Sequence, residues 1–147
     1  MVNVISYDNG KGGITASNNQ EYGGTVDQNG KVTAATPGAV ADPSKDSQAS
    51  ITITITSETK STFHSHPSGS VSVTTGSSSS SGANATMGGG TTTTYSFSQT
   101  PSQTDINNTP SGQTNYVFGK GNGTVYIYNS AGTQAKIPEK RFVNFKK

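Results

Sequence analysis

The chain has 147 residues, enough for one domain with a core of its own but short of two. Only 28% of them are hydrophobic, with no Leu, Trp or Cys, so any core is small, and both a disulfide framework and thiolate metal ligands are excluded. Ten basic against eight acidic side chains leave a net charge of +2; this is too small a surplus for a nucleic-acid-binding face, even at a pI near 8.9.

Thr, Ser, Gly and Asn dominate. Such a mixture is poor in helix formers and rich in β-branched and turn residues, which predicts a β-dominated α+β fold. Residues 1–10 include Asn3 and Asp8 and carry no apolar run, so neither a signal peptide nor a membrane span is expected. The chain is then either cytoplasmic or cut from a longer, separately delivered protein.

In chain order, residues 2–7 read as a short strand and 8–20 as a loop punctuated by Gly10, Gly12 and Gly13. Segments 24–27 and 31–35 flank Gln28-Asn29-Gly30, and Asn-Gly is a favoured hairpin turn. Residues 36–48, with two prolines and mixed charges, read as an exposed connection. The alternating Ile51-Thr52-Ile53-Thr54-Ile55-Thr56 predicts a half-buried strand. A turn over 57–60 leads into a second strand, 61–66, whose Thr62, His64 and His66 share one face while Phe63 takes the other.

From Gly76 to Thr94, fifteen of nineteen residues are Ser, Thr or Gly. That composition cannot bury enough apolar surface to offset its ordering entropy, so a flexible insertion is expected there, with outer limits at about 70–98 in a single domain spanning 1–147. A helix is predicted to begin near Ser102 as N-cap and to end before Pro110. Segments 115–119, 123–129 and 133–137 predict a β-meander with Tyr116, Phe118, Tyr126 and Tyr128 as its larger side chains, those tyrosines being read as cross-strand packing pairs. Residues 141–145 are expected to add a last strand.

Both histidines of the chain lie in His64-Ser65-His66-Pro67-Ser68-Gly69, and Pro101-Ser102-Gln103-Thr104-Asp105 follows the insertion. Two imidazoles one residue apart, with a carboxylate brought in from elsewhere, are donors that a zinc ion favours. An isolated His-x-His pair is common on strand ends, Ser102 is equally an N-cap, and Asp105 is equally a first-turn acid favoured by the helix dipole.

The pattern His64-x-His66-Pro67 with Ser102-x-x-Asp105 resembles the JAB/MPN/JAMM superfamily of zinc metallopeptidases. Its wording is closest to the bacterial RadC-like and JAB-like toxin branches. Glu21-Tyr22-Gly23-Gly24 fits the family's upstream glutamate, whereas Glu58 falls in an expected turn and Glu139 near the C-terminus. The resemblance implies a mixed sheet of the cytidine-deaminase-like kind, here with few or short helices, and one Zn2+ per chain. It implies metal ligation by His64, His66 and Asp105, general-base catalysis by Glu21 through a zinc-activated water, and a hydrogen bond from Ser102 to the water or the developing oxyanion. The implied substrate is a protein or peptide cut at a peptide or isopeptide bond, without nucleic acid or membrane. For an effector (toxin) domain of a secreted bacterial protein an immunity protein is implied as well. The alternative from another class is a catalytically inactive scaffold or binding module of the same fold.

Overall fold

Strand-forming residues organise most of the chain around one mixed sheet. In the computed structural model, which describes residues 1–76 and 90–142, its order is β2-β1-β3-β6-β7-β8. These strands are β1 Gly23–Asp27, β2 Val32–Ala34, β3 Thr59–His66, β6 Asn115–Gly119, β7 Thr124–Asn129 and β8 Gly132–Pro138. All neighbours are antiparallel except β3 and β6, which run parallel with Phe63 opposite Tyr116 and His64 opposite Val117. A hairpin joins β1 to β2 where the sequence predicts one, but its turn runs over Asp27–Gly30, the Gly30 amide donating to the Asp27 carbonyl at 3.1 Å and Gly30 taking φ 83°. The C-terminal meander also forms where expected. The fold is thus β-dominated, with three short helices among the described residues.

Strand alternation separates the two faces of this sheet. On one, Phe63, Phe118 and Val125 are wholly buried with Ile5 and Tyr22, and Met1, Val4, Val26, Tyr116 and Phe142 pack around them. Helices α1 (Val2–Ile5) and α3 (Glu139–Phe142) supply several of these residues. The other face carries Val117, Tyr126 and Tyr128 under Ile106 of α2 (Gln103–Asn107), and beside them Thr62, His64 and His66.

Four sequence expectations are corrected. Residues 2–5 are helical, not a strand; Met1, Val4 and Ile5 recur at i, i+3 and i+4, so a helical turn turns all three toward the core. Residues 141–142 end α3 instead of opening a strand, and 143–145 lie outside the described residues. Residues 51–56 join no sheet. Both ends of the expected insertion are strands: β4 (Ser70–Thr75) and β5 (Thr91–Ser96) pair as a two-stranded antiparallel ribbon, from Ser70 opposite Ser96 to Thr75 opposite Thr91. Thr is a strong strand former, and the Ser72–Thr94 and Thr74–Thr92 hydroxyl pairs, each at 2.9 Å, link the ribbon across its width. The flexibility expected of 77–89 falls outside the described residues.

The exit of β3 is held by the loop before β1. The buried Asp8 carboxylate accepts the Ser68 amide at 2.7 Å, the Ser68 hydroxyl at 2.6 Å and the Gly10 amide at 2.8 Å. The Gly69 amide donates to the Asn18 carbonyl at 2.6 Å, and a Cβ at Gly69 would collide with Asn19 Oδ1. From the other side, Lys120 N–H donates to the His66 carbonyl at 3.1 Å, and Gln99 Nε2 to that of Pro67 at 2.9 Å. Asp8→Ala strands the two buried donors of Ser68, and urea unfolding should register a loss of about 2 kcal/mol.

Candidate metal centre

Three segments far apart in sequence meet on the α2 side of the sheet. On β3, His64 and His66 lie two residues apart and project together, bringing their Nε2 atoms to 3.2 Å. The antiparallel register sets Gly23 against His64, and a Cβ there would collide with the Phe63 carbonyl and the His64 side chain. Glycine at this position therefore lets β1 lie close to β3. Just upstream, Glu21 turns to the same side, with Oε1 3.8 Å from His66 Nε2. Its neighbour Tyr22 faces the opposite core, and the Tyr22 and Ser65 backbones hydrogen-bond at 2.8 Å.

Asp105 arrives from α2. Ser102 is the N-cap of this helix, in a reciprocal capping box: the Asp105 amide donates to Ser102 Oγ at 3.1 Å, and the Ser102 amide donates to Asp105 Oδ2 at 2.7 Å. The Ser102 hydroxyl also donates to Asp105 Oδ2, at 2.7 Å. The cap thereby fixes the carboxylate, whose Oδ1 stands 3.3 Å from His64 Nε2 and whose Oδ2 stands 3.6 Å from His66 Nε2. All five residues singled out in the sequence, Glu21, His64, His66, Ser102 and Asp105, line one cleft of about 250 Å³.

Glu21, His64 and His66 form a buried group that can hold a metal ion. Asp105 lies nearer to both rings than Glu21 does. The donor set fits a borderline divalent cation. Ligands 2.0–2.1 Å from a tetrahedral zinc are separated from one another by about 3.3 Å. The observed separations are 3.2 Å between the imidazole Nε2 atoms, 3.3 Å from His64 to Asp105 Oδ1 and 3.6 Å from His66 to Asp105 Oδ2, so the carboxylate meets each ring with a different oxygen. His66 Nδ1 is buried with no partner among the described residues, so the polar contacts of that ring are all on its Nε2 side.

The two carboxylates are driven apart electrostatically. Burial pushes Glu21 up to about 7, opposed by the His66 charge and assisted by that of Asp105. Burial also works against an ionised Asp105, but hydrogen bonds from His64, His66 and Ser102 outweigh it and hold this carboxyl well below the usual range. One acid thus remains a fixed anion beside the imidazoles, while the other is poised to exchange a proton near neutrality.

No family model, curated protein or solved structure matches this chain. Local chemistry must therefore carry any functional reading.

Two parts of the cleft escape the sequence-based reading. Ile51, Ile53 and Ile55 line one wall; Ile51 and Ile53 are half-buried, whereas Ile55 is exposed, as are Thr52, Thr54 and Thr56. Their alternation is that of an extended chain whose inner side faces a cleft instead of a core. No backbone group of residues 51–55 has a backbone hydrogen-bond partner among the described residues. Tyr128, expected only to pack, also lines the cleft. It belongs to a cross-strand row with Asn115 and Thr62, and that row exists only because β3 and β6 pair in parallel across some fifty residues. Local periodicity carries no signal for such a pairing.

Among the described residues no helix is long and apolar enough to cross a membrane.

Proposed function

We propose that this chain is a zinc-dependent hydrolase of peptide or isopeptide bonds, of the JAB/MPN/JAMM type. His64, His66 and Asp105 hold the ion, and Glu21 serves as general base. The observation that carries the reading is the convergence of these residues, from β3, α2 and the approach to β1, with neighbouring imidazole and carboxylate atoms 3.2 to 3.8 Å apart. When bound, such an ion supplies Lewis acidity, lowering the pKa of a coordinated water to about 7.

The protein's own groups carry the remaining steps. Glu21 takes a proton from the attacking water at a carboxylate oxygen as the new C–O bond forms, and returns it to the amine nitrogen as the C–N bond breaks. Ser102 holds Asp105 in place through both halves of the capping box. Its assignment to the developing oxyanion requires that hydrogen bond to be exchanged for one to the substrate. The Ile51, Ile53 and Ile55 wall, whose main-chain groups have no backbone partner among the described residues, suits a substrate lying extended in the cleft.

Metal analysis of protein purified without chelator, together with mass spectrometry of a peptide library incubated with it, tests the reading. About one zinc per chain and new peptide termini are expected. A zinc-free, inert protein would instead support a non-catalytic binding module.

A further inference from the structure

We propose that Tyr128 is a further catalytic residue, its phenol donating a hydrogen bond to the acyl oxygen of the bond being cut. The inference rests on the hydrolase reading and adds a donor to it. Acyl transfer to water builds negative charge on that oxygen, and a preorganised O–H or N–H aimed at it is among the larger contributions a site can make. The Ser102 hydroxyl hydrogen is committed to Asp105 Oδ2 at 2.7 Å. A different hydroxyl is therefore needed, or that bond must first be broken.

Tyr128 meets the requirement by position. It lies on β7 opposite Asn115, which neighbours Thr62 on β3, one step along the sheet from His64. Strands lie about 4.8 Å apart, so a short Asn between β3 and β7 leaves room for a tyrosine to lean toward the histidines. Tyr128 is 2% exposed and clusters with Val117, Tyr126 and Ile106, yet it also lines the cleft. The phenol lies beside the polar side chains of Thr62 and Asn115 and carries an O–H hydrogen of its own. Burial, then the nearby Asp105 charge, raise the phenol above its ordinary pKa and keep that hydrogen in place. Packing alone would be satisfied by phenylalanine, which makes the substitution informative.

The test compares zinc-loaded wild type with Tyr128→Phe on a peptide that the wild type cuts, and on the phosphinic analogue of that peptide. The variant is expected to hold the same zinc and melt at the same temperature. Its kcat should fall about 100-fold with KM little changed, and its affinity for the analogue should fall in parallel. Unchanged kcat and analogue affinity in an active enzyme would overturn the role of Tyr128 alone. Loss of zinc or a lowered melting point in the variant would also overturn it, in favour of a structural part. A wild type that neither holds zinc nor cuts peptide would remove the hydrolase reading and this inference together.

Discussion

Glu21→Gln is expected to bind zinc as the wild-type chain does and to hydrolyse peptide about 10²–10⁴-fold more slowly. The amide is nearly isosteric with the carboxylate, and the ion is assigned to the imidazoles and Asp105, all closer to one another than Glu21 is to His66. What the substitution removes is a proton acceptor. Full activity in the variant would eliminate Glu21 as general base. A second effect is measurable in the metal-free protein. With its pKa raised from 4.5 to about 7, Glu21 binds more protons folded than unfolded across that interval. Its contribution to stability therefore falls as pH rises from about 4.5 to 7, by ~3 kcal/mol at most, and stays low above it. Urea unfolding at several pH values should show this decline in wild type and its absence in Glu21→Gln.

His64→Ala and Asp105→Ala should each lose stoichiometric zinc and all detectable hydrolysis. The wild-type chain is expected to gain stability on adding zinc, by about 4 kcal/mol when the free ion exceeds its dissociation constant a thousandfold, whereas neither variant should respond. The metal-free variants will behave differently. Asp105→Ala also destroys the capping box of α2 and should melt lower without any ion, by an amount near 1 kcal/mol. His64→Ala breaks no helix cap, so it separates loss of the ligand from loss of the fold. Normal zinc content in both variants would remove the proposed ligand set.

The histidine pair and the capped Asp105 were legible because each rests on local rules: side-chain alternation along a strand and a Ser-x-x-Asp box at a helix start. Their convergence was expected only through a family resemblance, since the parallel β3–β6 pairing leaves no periodic trace. Ile51–Ile55 shows the limit of alternation as evidence. A period of two reports that one side of a chain is sheltered, and here only Ile51 and Ile53 are partly so, in a cleft wall without a neighbouring strand. Composition misled at Thr91–Ser96, where polar residues pair through hydroxyl contacts and main-chain bonds with almost no apolar burial. At 2–5 the β-branched residues favoured a strand, and burial of Met1, Val4 and Ile5 in a helical turn prevailed.

The ribbon leaves the body of the protein beside His66 and returns to it a few residues before Ser102, with Ser70 facing Ser96 at its root and Thr75 facing Thr91 at its outer rung. Whatever number of residues joins those outer positions, the root stays at the same width. Length there is uncoupled from chemistry at the cleft. The site between 75 and 91 is accordingly the natural place to graft an epitope or a fluorophore, away from the residues that line the cleft.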